Sequence, residues 1–252
     1  MSRLFYIVRQ AAYTAFSFTF FLADAACLTI IGFFLITLGG ATEAHKRKYH
    51  VILQKNAAFI INRVPGTTFT YNNPEGETFE TPSIIISNHQ SHLDLMAIMM
   101  LTPNLIILTK KWVWNNPFYG IIIRYADFFP VTETEQMVVN IEKKIKEGYS
   151  VVIFPEGTRS EDCRIRLFHR GAFYLAEKLN LDIIPVYING FGKVLPKKSF
   201  HLHPGHMSLE VMPHIYRSSL SEECDYRVLS KRIRHDYLRM NHEEVKFFRR
   251  NA

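Results

Sequence analysis

His89 and, five positions on, Asp94 stand in the stretch Asn88-His89-Gln90-Ser91-His92-Leu93-Asp94. A histidine near neutral pH can take a hydroxyl proton while that oxygen attacks a carbonyl. A carboxylate on its other ring nitrogen fixes the tautomer and stabilises the imidazolium that forms. Five residues turn a regular helix through about 500°, so the two side chains would not share a helix face. The pair works only if His89 lies in a loop or a first helical turn and Asp94 reaches back. Asn88 or Ser91 would then cap the helix. On chemistry alone His92 competes with His89 for the role of base.

A second stretch, Phe154-Pro155-Glu156-Gly157-Thr158-Arg159-Ser160, sets an acid, a glycine and an arginine in one turn. Pro155 stiffens the entry, and Gly157 lets backbone approach a ligand closely. Arg159 presents a planar, always-charged fork for phosphate or carboxylate. Glu156 can meet an acceptor hydroxyl or orient Arg159. Ser91 as the nucleophile of a hydrolase lacks a G-x-S-x-G elbow.

Both stretches follow apolar, β-branched runs, Ile84-Ile85-Ile86 and Val151-Val152-Ile153, which read as buried parallel strands. Sites in open α/β sheets sit at the carboxyl ends of such strands. Strands are expected at 83–87, 105–108, 150–154, 182–188, 201–203 and 207–212, the last two joined by a Pro204-Gly205 turn. Pro185 argues for an edge or strand-end position. Helices are expected at 92–101, 112–125 (interrupted by Pro117), 133–147 (ended by Gly148), 171–179 and 221–241. Residues 66–82 read as a polar connector. The alternation gives a mixed, mostly parallel sheet flanked by helices, preceded by an N-terminal membrane-embedded helical segment.

Between residues 11 and 41 the only charge is Asp24. As one helix the stretch would run roughly 46 Å against a hydrocarbon core of about 30 Å. It must tilt, or break near Asp24, or give Asp24 a buried partner. A cleaved leader with Ala23-Asp24-Ala25 as its site is disfavoured, because the apolar run continues to Leu38. The basic run 45–50 places that end on the cytoplasmic face. Two units follow: 1–50, membrane-associated helices with a basic flank, and 51–252, a catalytic domain.

The net charge is +7 and the pI about 9.3, which favours an anionic partner. No RNP, zinc-finger or P-loop pattern is present, so membrane lipids are expected and nucleic acid is not. Aromatic residues at 112, 114, 118 and 119, and the basic-aromatic blocks 231–234 and 247–250, suit either a headgroup interface or ordinary packing. Cys27, Cys163 and Cys224 form no C-x-x-C pair, which fits a reducing compartment, and Cys163 reads as incidental to the site. His201, His203, His206 and His214 fit no standard zinc spacing, so no metal is expected.

The two motifs resemble the His-x4-Asp and Pro-Glu-Gly-Thr-Arg signatures of the lysophosphatidic-acid acyltransferase-like superfamily of membrane glycerolipid acyltransferases. The resemblance runs from about residue 83 to 186 and includes Lys110-Lys111-Trp112 with Pro117-Phe118-Tyr119-Gly120, and Ile184-Pro185-Val186. It implies transfer of a fatty acyl group from acyl-CoA or acyl-acyl-carrier-protein to a hydroxyl of a lysolipid such as 1-acylglycerol-3-phosphate, with no cofactor. It selects His89 as base and Asp94 as its orienter. It gives Glu156, Gly157, Thr158 and Arg159 to acceptor binding, with Lys110 and Lys111 assisting. It also implies a bacterial inner-membrane setting and an N-terminal helical pair. The chain departs at Phe128-Phe129-Pro130-Val131-Thr132-Glu133, where the family pattern reads aliphatic-Asp-Arg. Either Arg124, Lys110 or Lys111 replaces that arginine, or the acceptor carries no phosphate, as in an acyl-amino-acid lipid. Two further alternatives are a lipid hydrolase, releasing free fatty acid, and a non-catalytic lipid-binding protein.

Overall fold

The computed structural model describes residues 3–40, 42–116, 120–131, 135–220 and 225–251, without the side chains of residues 3, 4, 6, 36, 39 and 242–251. In chain order the elements are α1 (Arg3–Gly39), α2 (Glu43–Ile61), β1 (Thr67–Asn72), β2 (Ile84–Ser87), α3 (Leu93–Met99), β3 (Leu105–Thr109), α4 (Lys111–Trp114), α5 (Gly120–Tyr125), β4 (Phe129–Pro130), α6 (Glu135–Lys146), β5 (Ser150–Ile153), α7 (Gly171–Lys178), β6 (Ile183–Asn189), α8 (Phe191–Val194), β7 (Gly205–Val211) and α9 (Tyr226–Asn251).

The strands form one sheet in the order β1-β7-β6-β2-β5-β3-β4. Every neighbouring pair is parallel except β6 with β7. The centre, β6-β2-β5, is built from the apolar runs, and nearly all of it is buried. Strands covered on both faces carry continuous Ile and Val instead of alternating. Their carboxyl ends lie side by side, so His89, the Phe154–Arg159 turn and Gly190 leave the sheet along one edge.

Three elements depart from expectation. The connector at 66–82 contains β1, which pairs in parallel with β7 from Thr67↔Gly205 to Asn72↔Glu210. Its sequence, Thr-Thr-Phe-Thr-Tyr-Asn, is half-exposed at the sheet edge, so it lacks the apolar signal of a core strand. Residues 201–203 form no strand. Pro185 lies inside β6, between β2 and β7. Its carbonyl accepts the Met212 N–H at 2.9 Å, so its missing donor faces the place where β7 ends.

The N-terminal segment is one continuous helix, and the stretch Ile7–Leu35 is long and apolar enough to cross a membrane. It does not break at Asp24. The Asn56 side-chain amide donates to Asp24 at 2.8 Å, which supplies the buried partner. That residue belongs to α2, a helix the sequence reading did not assign. The basic run 45–50 opens α2 and is partly consumed in packing. Lys46 donates to both Asp127 oxygens at 2.8 and 2.7 Å, and the Arg47 guanidinium donates to the Glu147 carbonyl. His50 is buried against Phe128 and Tyr149, and burial pushes its pKa down to about 4. The expected boundary between residues 50 and 51 falls inside α2, whose buried side chains span both sides of it.

Candidate active site

Helix α3 begins at Leu93, so His89 stands in the loop after β2 and Asp94 in the first helical turn. The backbone therefore bends back far enough for His89 Nδ1 to meet Asp94 Oδ2 at 2.8 Å. The same Oδ2 accepts the N–H groups of Gln90 at 2.5 Å and Ser91 at 2.7 Å. Asp94 is fully buried. Burial pushes its pKa up, while the His89 ring and the two N–H donors pull it back. With Nδ1–H committed to the carboxylate, the lone pair of the imidazole is on Nε2. The ring is stacked on Phe154, with centroids 4.2 Å apart and planes 26° from parallel.

The capping expectation is met in part by Ser91, whose Oγ accepts the Leu93 N–H at 3.3 Å, but not by Asn88. Asn88 bridges to β6, donating to the Ile188 carbonyl at 2.8 Å and accepting the Ile188 N–H at 2.9 Å. Ser91 donates to the Leu195 carbonyl at 2.8 Å. His92 occupies the N-cap position without a side-chain cap bond. Desolvation lowers the His92 pKa to about 4, helped by the charge of Arg159 and by His89. No carboxylate meets its ring among the described residues, which separates it from His89.

The second motif forms a turn closed by Gly157 N–H to the Phe154 carbonyl at 3.0 Å, with Gly157 at φ +66°. Glu156 faces inward. One oxygen accepts the His89 N–H at 3.0 Å and the other the Arg166 N–H at 3.3 Å. Its carboxylate thus clamps the two loops together, a use that neither acceptor binding nor Arg159 orientation anticipates. Desolvation raises its pKa to about 7, against the two N–H donors. The Ser160 N–H donates to the His89 carbonyl at 2.7 Å, a second tie between the loops.

Arg159 lies close enough to His92 and Asp94 to interact with both, and desolvation lowers its pKa while the Asp94 charge raises it. Its Nη1 and the Asp94 Oδ1 are both buried without a hydrogen-bond partner among the described residues. A buried guanidinium donor left open this way is costly unless a ligand supplies the acceptor. Thr158 is half-buried in the turn, and Gly157 is exposed. Lys110 and Lys111 lie past the carboxyl end of β3, two strands from β2, and both are exposed. The structure gives them no hydrogen bond to the His89 group. Arg124 donates to the Trp114 carbonyl at 2.9 Å, tying α5 to α4. Residues 117–119 and 132–134, which carry parts of the middle motif, lie outside the described residues, as do Cys224 and the side chains of 247–250.

The sequence reading missed several contributors. Cys163 lies beside the first motif: its carbonyl accepts from the Gln90 side chain at 3.5 Å, and its sulfur packs where a Gly192 side chain would begin. Tyr237, from α9, is fully buried. Its hydroxyl accepts the Val186 N–H at 3.0 Å and lies 2.9 Å from the Ile86 carbonyl it can donate to, stapling β6 to β2 just below the site. Gly190 has φ +80°, and a side chain there would meet the His206 carbonyl at 1.9 Å. None of these has a local sequence signal except the glycine.

The chain is similar to several proteins named as 1-acyl-sn-glycerol-3-phosphate acyltransferases. The chloroplastic 1-acyl-sn-glycerol-3-phosphate acyltransferase BAT2 of Brassica napus is 29% identical over 189 residues, covering 73% of this chain and 55% of that one. The beta enzyme of the same name from Homo sapiens is 28% identical over 163 residues, covering 62% and 59%. The chain spans about half the length of the curated relatives it matches. The crystal structure of the 1-acyl-sn-glycerophosphate (LPA) acyltransferase PlsC from Thermotoga maritima superposes with a TM-score of 0.67 at 22% identity, covering 89% of this chain and 97% of that one, so the two share a fold. The family model Acyltransferase matches residues 67–189, the stretch that carries β1 through β6 and both motifs.

Proposed function

We propose that the chain is a membrane-attached O-acyltransferase that moves a fatty acyl group from acyl-CoA or acyl-acyl-carrier-protein to a hydroxyl of a lysolipid such as 1-acylglycerol-3-phosphate. The observation that carries the reading is the buried His89–Asp94 contact at 2.8 Å, with Asp94 anchored by two backbone N–H groups. The acceptor hydroxyl gives its proton to His89 Nε2 as its oxygen forms a bond to the thioester carbonyl carbon. The tetrahedral adduct then expels the thiolate, which takes the proton from the imidazolium. Asp94 holds the tautomer and stabilises the transient charge. Arg159 meets the acceptor's anionic group through its open Nη1. Glu156 holds the His89 loop in register. Helix α1 keeps the domain at the bilayer, on the cytoplasmic face of what we read as a bacterial inner membrane, where the lipid substrates are concentrated.

The same chemistry on a phosphate-free acceptor, such as an acyl-amino-acid lipid, is the second reading. The departure at Val131-Thr132 favours it, because the arginine of the family pattern is missing there. The test is transfer from labelled palmitoyl-CoA or its carrier-protein thioester to lysophosphatidic acid, acyl-glycine, acyl-ornithine or water, with wild type beside His89→Ala. Diacyl product on lysophosphatidic acid that His89→Ala abolishes is expected. Product on the amino-acid lipids alone selects the second reading. Release of free fatty acid to water alone, or no transfer at all, overturns both.

A further inference from the structure

We propose that the carboxyl edge of the sheet is itself a membrane-docking surface, pressing Trp112, Val131, Leu167 and Phe200 into an anionic phospholipid bilayer. The proposal rests on the lipid-directed reading above and adds a second, separate anchor to α1.

Those four residues follow β3, β4, β5 and β6 in turn. The four strands run parallel within the sheet, so segments far apart in sequence leave the same edge, the one that carries His89. The side chains are 59, 55, 71 and 79% exposed. Outside α1, Leu167 and Phe200 are the most exposed large apolar residues described. A single exposed apolar residue is ordinary, but several gathered at one edge mark an interaction site.

Three of the same segments carry cations. Lys110 and Lys111 precede Trp112, Arg166 and Arg170 flank Leu167, and Lys197 and Lys198 precede Phe200. The acids near Leu167 and Phe200 are already engaged, while the segment after Val131 carries Glu133 and Glu135 and no cation before Lys143. Glu156 is held by backbone N–H groups, Glu161 meets Lys198 at 2.7 Å and Lys197 at 3.5 Å, and Asp162 meets Arg164 at 3.4 Å. Apolar tips set among basic residues match the acyl–headgroup boundary of an anionic leaflet. An acidic protein would satisfy the cations but leave the apolar tips unexplained. The edge is also continuous with α1. The Leu202 N–H donates to Thr14 at 3.1 Å, and the Tyr13 ring lies 3.4 Å from where a Gly66 side chain would begin. A contact at the edge itself fixes the mouth of the site against the lipid.

The chain has two tryptophans, so Trp114→Phe leaves Trp112 as the sole emitter. The full chain is reconstituted into vesicles of phosphatidylglycerol and phosphatidylcholine with brominated acyl chains. Trp112 emission is expected to shift blue and to be quenched. Adding Leu167→Asp with Phe200→Asp should abolish the quenching while the protein still sediments with the vesicles through α1. That pair should also slow transfer to a vesicle-borne acceptor about tenfold, and leave the rate on detergent-dispersed acceptor unchanged. Unquenched Trp112, equal quenching in the double variant, or equal quenching in pure phosphatidylcholine overturns the proposal. So does a Trp112 signal that answers to an acidic carrier protein and not to vesicles. Quenching needs no turnover, so a chain that docks but transfers nothing refutes the reaction and leaves the docking standing.

Discussion

Asp94→Asn separates the catalytic value of the buried carboxylate from its cost to folding. The asparagine carbonyl can take the place of Oδ2 and keep the Gln90 and Ser91 N–H bonds and the His89 contact. Its amide nitrogen falls where Oδ1 now stands, a position no donor faces among the described residues. Geometry and tautomer are therefore retained, and only the charge is lost. At 2.8 Å an ion pair between imidazolium and carboxylate is worth at most about 6 kcal/mol at an effective dielectric of about 20. Spreading both charges over several atoms halves this to about 3 kcal/mol, or a ~150-fold fall in kcat/KM. Stability moves the other way. Burial raises the Asp94 pKa above its unfolded value, so the stability this group contributes is present below the unfolded pKa and lost as pH rises through the folded one. At neutral pH the charged carboxylate is a cost that asparagine removes. Urea unfolding at pH 7.5 should give a midpoint equal to or above that of wild type, while initial rates with palmitoyl-CoA fall. A loss in rate below tenfold, or a midpoint that drops in step with activity, refutes this reasoning.

Glu156 should show a pH signature of the same sign. Its pKa is raised from 4.5 to about 7 by burial, so its contribution is present below about pH 4.5 and lost through about pH 7. The stability of wild type relative to Glu156→Gln should fall by about 2–3 kcal/mol between pH 5 and 8, read from denaturant midpoints. Tyr237→Phe leaves the buried Val186 N–H and Ile86 carbonyl without their hydroxyl. It should cost about 2–4 kcal/mol and speed amide exchange at Val186. Gly190→Ala combines a left-handed φ with a clash against the His206 carbonyl. The expected cost is at least about 3 kcal/mol, seen as a lowered melting temperature with transfer lost in proportion to the unfolded fraction.

The sequence by itself determined the centre of the molecule. Ile84–Ile86 and Val151–Ile153 are apolar enough to require burial on both faces, which makes them parallel strands and places whatever follows them on one edge. The spacing of His89 and Asp94 then admits only a loop-to-helix geometry, and Ser87 with Leu93 bounds that loop. An apolar α1 was legible for the same reason, since hydropathy is a local property. Tertiary structure decided what depends on partners distant in the chain. β1 becomes a strand only because β7 offers it a ladder, and its own residues are too polar to announce it. Asp24 is tolerated in an unbroken helix because α2 brings Asn56 to it. Glu156 points inward because two N–H groups from separate loops converge there, although its motif reads as an outward-facing binding turn. The basic run before His50 looks like a membrane flank, yet Asp127 and the Glu147 carbonyl take up two of its cations. Such contacts pair groups tens of residues apart, and local composition holds no record of which pairs will meet.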